Sequence, residues 1–270
     1  MKKISLSAFV IAAVVSGSAL AQITIDGSLS DWKIDPKTWV SSLPGVSYTE
    51  EDQTGSGAYY LRPGYGGQAY DAEAMYAIIQ NGTLFIALAT GHNPLTVDNF
   101  GNNVYAAGDF AIDFGNNGTY ELGINVVNNF LGGVLGGVYA NPDWAYGLWD
   151  VAGNEVAPGS AAADMAHPTS LRGGTLLGSA ESSYTTTGVS GYGSKEDDLH
   201  YFYEISLDLQ LLYDAGWDGN EFNIHWTQNC ANDSILLTVP GNPGVPEPGS
   251  LALFGVGLVG LIGMRRRPAK

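Results

Sequence analysis

Short apolar or alternating runs, each bounded by Gly, Asn, Asp or Pro, recur along residues 22–240, and none keeps a helical period for a dozen positions. Residues 74–79 form one such run. Asn81-Gly82 follows, then a second run over 83–90. Asn-Gly suits the two positive φ angles of a type I′ turn, so a hairpin is predicted. Residues 109–114 alternate polar and apolar as a half-buried strand does, and Gly115-Asn116-Asn117-Gly118 turns the chain into 119–127. Residues 201–207, 220–226 and 234–239 read as further strands, and 208–215 as a short helix. The stretch 128–137 is Gly-rich and apolar. Residues 153–198 are rich in Gly, Ser, Ala and Thr, which predicts long surface loops around occasional strands. No internal repeat marks a propeller or β-helix. The expected fold is all-β: an antiparallel β-sandwich of jelly-roll or immunoglobulin-like type with long loops.

The two ends follow other patterns. Lys2 and Lys3 precede an apolar run over 8–15, and Ala19-Leu20-Ala21 is a small-x-small cleavage site before Gln22. Residues 1–21 therefore read as a signal peptide, cut by signal peptidase; the run is too short to span a bilayer. At the other end, 251–264 is apolar with Gly at 255, 257, 260 and 263, followed by Arg265, Arg266 and Arg267. Fourteen residues at 1.5 Å rise reach only about 21 Å; counted from Pro248, the stretch is just long enough to cross with membrane thinning and Arg snorkelling. The arginines place the C-terminus in the cytoplasm. The expected organisation is a signal peptide (1–21), a β-sandwich (22–240), a linker (241–249), a transmembrane helix (250–264) and a basic cytoplasmic tail (265–270).

Val245-Pro246-Glu247-Pro248-Gly249-Ser250, then a short Gly-rich apolar helix, then three arginines, resembles the PEP-CTERM sorting signal over roughly the last 26 residues. The resemblance implies an exosortase partner, a membrane transpeptidase of Gram-negative bacteria that make extracellular polysaccharide. It also implies a precursor tethered transiently in the inner membrane, then a body attached at the cell surface or released. An ordinary single-span anchor is the alternative.

Composition narrows the body's roles. The chain carries a formal net charge of −16 with 45% hydrophobic and 11% aromatic residues, a balance unlike that of disordered chains. Between residues 22 and 245 five basic residues face 26 acidic ones, a net of −21. Such a body repels nucleic acid and anionic membrane surfaces. Cys230 is alone, so no intramolecular disulfide forms, and a buried, inert thiol is expected.

Ile23-Thr24-Ile25-Asp26-Gly27-Ser28-Leu29-Ser30-Asp31-Trp32 opens the body with alternation that ends in a tight turn. This opening resembles that of family-nine carbohydrate-binding modules and their DOMON-like relatives. Tyr70-Asp71-Ala72-Glu73-Ala74 and Tyr203-Glu204-Ile205-Ser206-Leu207 echo the same modules further on. The resemblance implies sugar binding and, in some members, structural Ca²⁺. Ca²⁺ takes six to eight oxygens, and Asp26, Asp31, Asp71 and Glu73 are the first candidates. The loop Asp113–Gly118 partly echoes an EF-hand but has Gly115 at its third position and Ile124 at its twelfth, so it reads as a hairpin. His225 to Asp233 resembles an "HWT-x-x-CGND" segment near the end of many PEP-CTERM proteins, with Ala231 in place of the usual Gly.

Sugar recognition needs aromatic faces flanked by carboxylates and amides. Asp143, Trp144, Tyr146, Trp149 and Asp150 form the densest such segment, an aromatic loop, and Trp39 and Trp217 are further candidates. Trp144 and Trp149 are either ligand contacts or core plugs, whereas Trp32 and Trp226 are expected in the core. Metalloprotease, nucleophile-elbow, P-loop and dinucleotide-binding motifs are absent. The expectation is a noncatalytic module that binds extracellular polysaccharide. The alternatives are a structural surface or biofilm-matrix protein acting by protein–protein contacts, and a polysaccharide-degrading enzyme.

Overall fold

The computed structural model describes residues 22–52, 66–96, 98–100, 103–126, 134–152, 154–157, 160–195 and 197–241. The expected signal peptide with Ala19 and Ala21, and the tail with its Pro-Glu-Pro motif, expected transmembrane helix and arginines, lie outside them. A 3₁₀ turn at Leu29–Trp32 precedes β1 (Ser47–Glu50), and another at Gln68–Tyr70 precedes β2 (Ala72–Gln80). There follow β3 (Thr83–Thr90), β4 (Asp98–Phe100), β5 (Asn103–Tyr105), β6 (Phe110–Phe114), β7 (Leu122–Ile124) and β8 (Gly137–Tyr146). The chain continues through β9 (Pro168–Ser179), β10 (Glu181–Tyr184), β11 (Tyr201–Asp208), α1 (Gln210–Asp214), β12 (Phe222–Thr227) and β13 (Ser234–Val239).

Two antiparallel sheets form the expected sandwich. One has five strands in the order β1-β2-β3-β11-β10; the other has six, β13-β12-β6-β7-β8-β9; β4 and β5 make a separate ribbon. Both hairpins appear where the turn residues predict them. Asn81 and Gly82 have φ of 51° and 80°, as a type I′ turn requires. Asp113 accepts from the N–H groups of Asn117 (3.1 Å) and Gly118 (2.7 Å), which closes the β6–β7 turn as a hairpin.

Alternation sorts the apolar residues between layers. Met75, Ile86 and Ile205 of the first sheet meet Phe110, Ile224 and Trp226 of the second in the main core. The opposite side chains of the first sheet, Tyr76, Ala87 and Phe202 among them, are covered by the N-terminal segment through Ile23, Leu29, Trp32 and Trp39. This third layer explains why β2 and β3 are apolar on both faces. Trp32 and Trp226 are fully buried, as expected.

One region departs from the loop expected, and a second holds the strands expected among its loops. The segment around Asn141-Pro142-Asp143 belongs to β8, whose pairing with β9 shifts register between Ala140 and Asp143; Asn141 there has φ of 47°. A bulge is what admits proline and a left-handed residue into a strand. The Gly- and Ser-rich stretch after it contains the twelve-residue β9, with β10 next to it.

Candidate functional site

Carboxylates from three elements converge at one end of the sandwich. Glu51 and Asp52 follow β1, Asp71 and Glu73 flank the start of β2, and Asp233 directly precedes β13 of the other sheet. Backbone bonds set this up: the N–H groups of Glu51 (2.7 Å) and Asp52 (3.1 Å) both donate to the Glu73 carbonyl, where the β2 pairing is irregular between Ala72 and Ala74. Two triads share Asp71. Glu51, Asp71 and Asp233 form one, and Asp52, Asp71 and Glu73 the other, with each set of carboxylate oxygens lying within 4.8 Å of one another.

Burial makes this cluster costly. Asp71 exposes 2% of its surface, and Glu73 and Asp233 none. Both Asp71 oxygens and Glu73 Oε2 are buried without a hydrogen-bond partner. Burial, then the neighbouring charges of Glu73, Asp233 and Glu51, pushes the Asp71 carboxyl far above the usual carboxylate range. Asp233 and Glu73 are raised as well, chiefly by burial. Asp233 is partly relieved by the N–H groups of Ala72 (2.6 Å) and Ser234 (2.7 Å). Glu73 Oε1 is held by Gln68 Nε2 and lies 3.1 Å from His200 Nδ1. His200 Nε2 faces the Tyr192 carbonyl at 3.1 Å and must carry a hydrogen there. The Nδ1–Glu73 contact therefore needs a second proton, either on the imidazole or on the carboxyl.

The segment 225–233 acquires a structural role. Its turn between β12 and β13 delivers Asp233 to the cluster, with Thr227 Oγ1 donating to the Asp233 carbonyl. Gln228 Nε2 donates to the Tyr70 carbonyl at 2.9 Å, and Asn229 Nδ2 to Ser170 Oγ. Ala231 sits at φ 54°, a backbone state glycine adopts at lower cost, which accounts for the Gly of the resembling segment.

Asp26 and Asp31 belong to neither triad. Asp26 Oδ1 accepts from the Ser28 N–H at 2.8 Å, and Asp31 Oδ2 from the Thr24 N–H at 3.1 Å, so both shape the opening turn. That turn is anchored on Glu204 of β11. Its Oε2 accepts the N–H groups of Asp26 (3.0 Å), Gly27 (2.7 Å) and Ser28 (3.1 Å), and its Oε1 accepts Trp32 Nε1 (2.8 Å).

The aromatic candidates separate. On the outer face of the second sheet, Trp144, Tyr139, Leu171 and Ala111 form a buried cluster against which Tyr120 and Tyr146 pack. Trp144 is 7% exposed and crosses Gly123, where a Cβ would lie 2.9 Å from the indole. Asp143 is exposed nearby, its Oδ2 4.0 Å from Arg172 Nε. Trp149 instead donates from Nε1 to Asn232 Oδ1 at 3.2 Å, and Asp150 closes its own loop by accepting the Ala152 and Asn154 N–H groups, both at 2.9 Å. Trp39 and Trp217 are buried; the first stacks on Tyr192 and donates to Asp52 Oδ2 (3.1 Å), and the second donates to the Asn220 carbonyl (2.8 Å). Neither presents a ring face to a ligand.

Glu51, Asp52, Asp233 and Glu204 are the residues that sequence reasoning leaves out of the site and its support. Their signal is weak because each lies far along the chain from its partners.

A family model for the PEP-CTERM protein-sorting motif matches residues 244–267. No curated protein and no solved structure matches the chain. The motif marks an exported protein, anchored in the membrane before an exosortase processes it. Among the described residues no helix is long and apolar enough to cross a membrane.

Proposed function

We propose that the exported body is a noncatalytic module that binds extracellular polysaccharide. The observation that carries this reading is the aromatic cluster on the outer face of the second sheet. Half-buried Tyr120 and Tyr146 pack against the cluster of Ala111, Tyr139, Trp144 and Leu171, and the Asp143–Arg172 pair belongs to the same two strands, β8 and β9, as Trp144 and Leu171. Ring faces next to charged hydrogen-bonding groups suit the C–H faces and hydroxyls of sugars. The strongly acidic body favours neutral glycans over anionic ones. Tyr146→Ala and Arg172→Ala in the full chain should each weaken binding to the producing cell's own polysaccharide about tenfold or more, without release of reducing ends. Unchanged binding in both variants would remove this face from the account.

A second reading is a matrix protein acting through strand edges. β9 lies at the end of the second sheet's strand order, and its Leu176 is 50% exposed. An open edge of this kind pairs readily with another chain. That reading requires self-association without sugar, measured by sedimentation of the full chain in detergent. A monomer at high concentration would argue against it.

A further inference from the structure

Five carboxylates gathered at one end of a sandwich need a reason when three of them are buried. Two ionised carboxylates at this separation repel strongly in a low-dielectric interior, and burying them without partners costs several kcal/mol. Local bonds account for part of the cluster only. Asp233 accepts two backbone N–H groups, Asp52 accepts from Trp39 Nε1 and the Ser194 N–H, and Glu73 Oε1 is taken by Gln68 and His200. Both oxygens of Asp71 and the Oε2 of Glu73 remain buried with no donor group to bond and meet only other carboxyls, Asp233 beside Asp71 and Asp52 beside Glu73. Asp71 is the residue that the two triads share, and Glu73 completes the second of them.

We propose that Asp71, Asp233 and Glu51, with Asp52 and Glu73, hold one hard divalent cation, Ca²⁺. The ligand chemistry selects the ion. Every donor is a carboxylate oxygen; imidazole is held back as the partner of Glu73, and the single thiol, Cys230, is buried and free. All-oxygen sets of irregular geometry suit Ca²⁺, which takes six to eight oxygens and completes its shell with water, whereas zinc prefers nitrogen and sulfur. His200 and Gln68 then position Glu73 from outside the coordination shell.

Such an ion acts apart from polysaccharide binding, by holding the two sheets together at one end. Glu51 and Asp52 follow β1, the edge of the first sheet, Asp71 and Glu73 lie at the start of its neighbour β2, and Asp233 precedes β13, the edge of the second sheet. A cation there cross-links β1, β2 and β13.

The test uses the full chain in mild detergent, stripped with chelator and titrated with CaCl₂ alone, with no sugar present. Calorimetry should show one Ca²⁺ per chain. The melting midpoint should rise by about 5–10 °C at a hundredfold excess over Kd. Asp71→Asn removes the shared ligand and should weaken Ca²⁺ binding about a hundredfold while the metal-free midpoint does not fall. Glu51→Gln, at the more open side, should weaken it about tenfold and guards against a core variant that fails to fold. No heat and no midpoint shift up to about 10 mM Ca²⁺, above the range of extracellular sites, would overturn the proposal. So would Ca²⁺ binding left intact in Asp71→Asn. Neither result depends on whether a glycan binds.

Discussion

Trp32 Nε1 donates to Glu204 Oε1 at 2.8 Å, and this contact joins the start of the body to an inner strand of its first sheet. The other Glu204 oxygen collects three successive N–H groups from the Asp26-Gly27-Ser28 turn. One buried carboxylate thus satisfies four donors that the N-terminal layer would otherwise bury unpaired.

Glu204→Gln keeps the shape but turns part of the acceptor into a donor. The expected loss is about 2–4 kcal/mol, or a midpoint lower by about 5–10 °C. Amide exchange should quicken first in residues 22–46. Uniform loosening of both sheets, with no preference for that segment, would contradict the anchoring role.

Close backbone approach makes Gly108 irreplaceable. A Cβ there would collide with the Thr227 carbonyl and lie 2.7 Å from the Thr169 carbonyl. Gly173, in β9, has open space around the same position. Gly108→Ala should therefore cost several kcal/mol, about 3 or more, while Gly173→Ala stays within about 1. Denaturant midpoints of the two variants compare them directly. Equal effects would show that the Gly108 contact is not as tight as described.

How much of this is readable along the chain depends on the range of each signal. The hairpin at Asn81-Gly82 and the turn after Phe114 are local, and a few residues suffice to specify them. Asn141, Pro142 and Asp143 are turn formers, so their part of β8 reads as loop; the bulge that accommodates them arises from pairing with β9. β9 itself has few β-branched residues and gains its place from that partner. The acidic site is half legible. Asp71 and Glu73 stand in a recognisable sequence, but Asp233 reaches them only because β13 closes the sandwich over β2. Asp26 and Asp31 read as ligands for the same reason that they make a good turn: short carboxylates accept nearby N–H groups.

Asp109 gives the body a pH dependence. It is buried and accepts from the N–H groups of Leu171 (2.8 Å) and Val126 (3.2 Å). Burial outweighs these bonds and raises its carboxyl from 3.8 to about 7. The folded chain therefore binds a proton that the unfolded chain has released between those values. Stability is fully present below the lower value and is lost as pH rises through the upper one. In chelator, the midpoint should fall between about pH 4 and pH 7, and Asp109→Asn should remove part of that fall. An identical slope in the variant would rule Asp109 out as a contributor.

Cys230 should be unreactive in the native state. It is fully buried, and desolvation pushes its thiol up to about 12. A disulfide reagent should modify it only after denaturant is added. Stoichiometric labelling of the native chain would mean that the β12–β13 turn opens, and that the thiol is available to cross-link chains.

The most direct test of the proposed role is a calorimetric titration of the full chain, in detergent, with the producing cell's exopolysaccharide, followed in parallel by tryptophan fluorescence. Saturable binding without new reducing ends is the predicted result. Complete indifference to that polymer and to a panel of neutral glycans would contradict the polysaccharide-binding account and leave the sandwich as a structural surface protein.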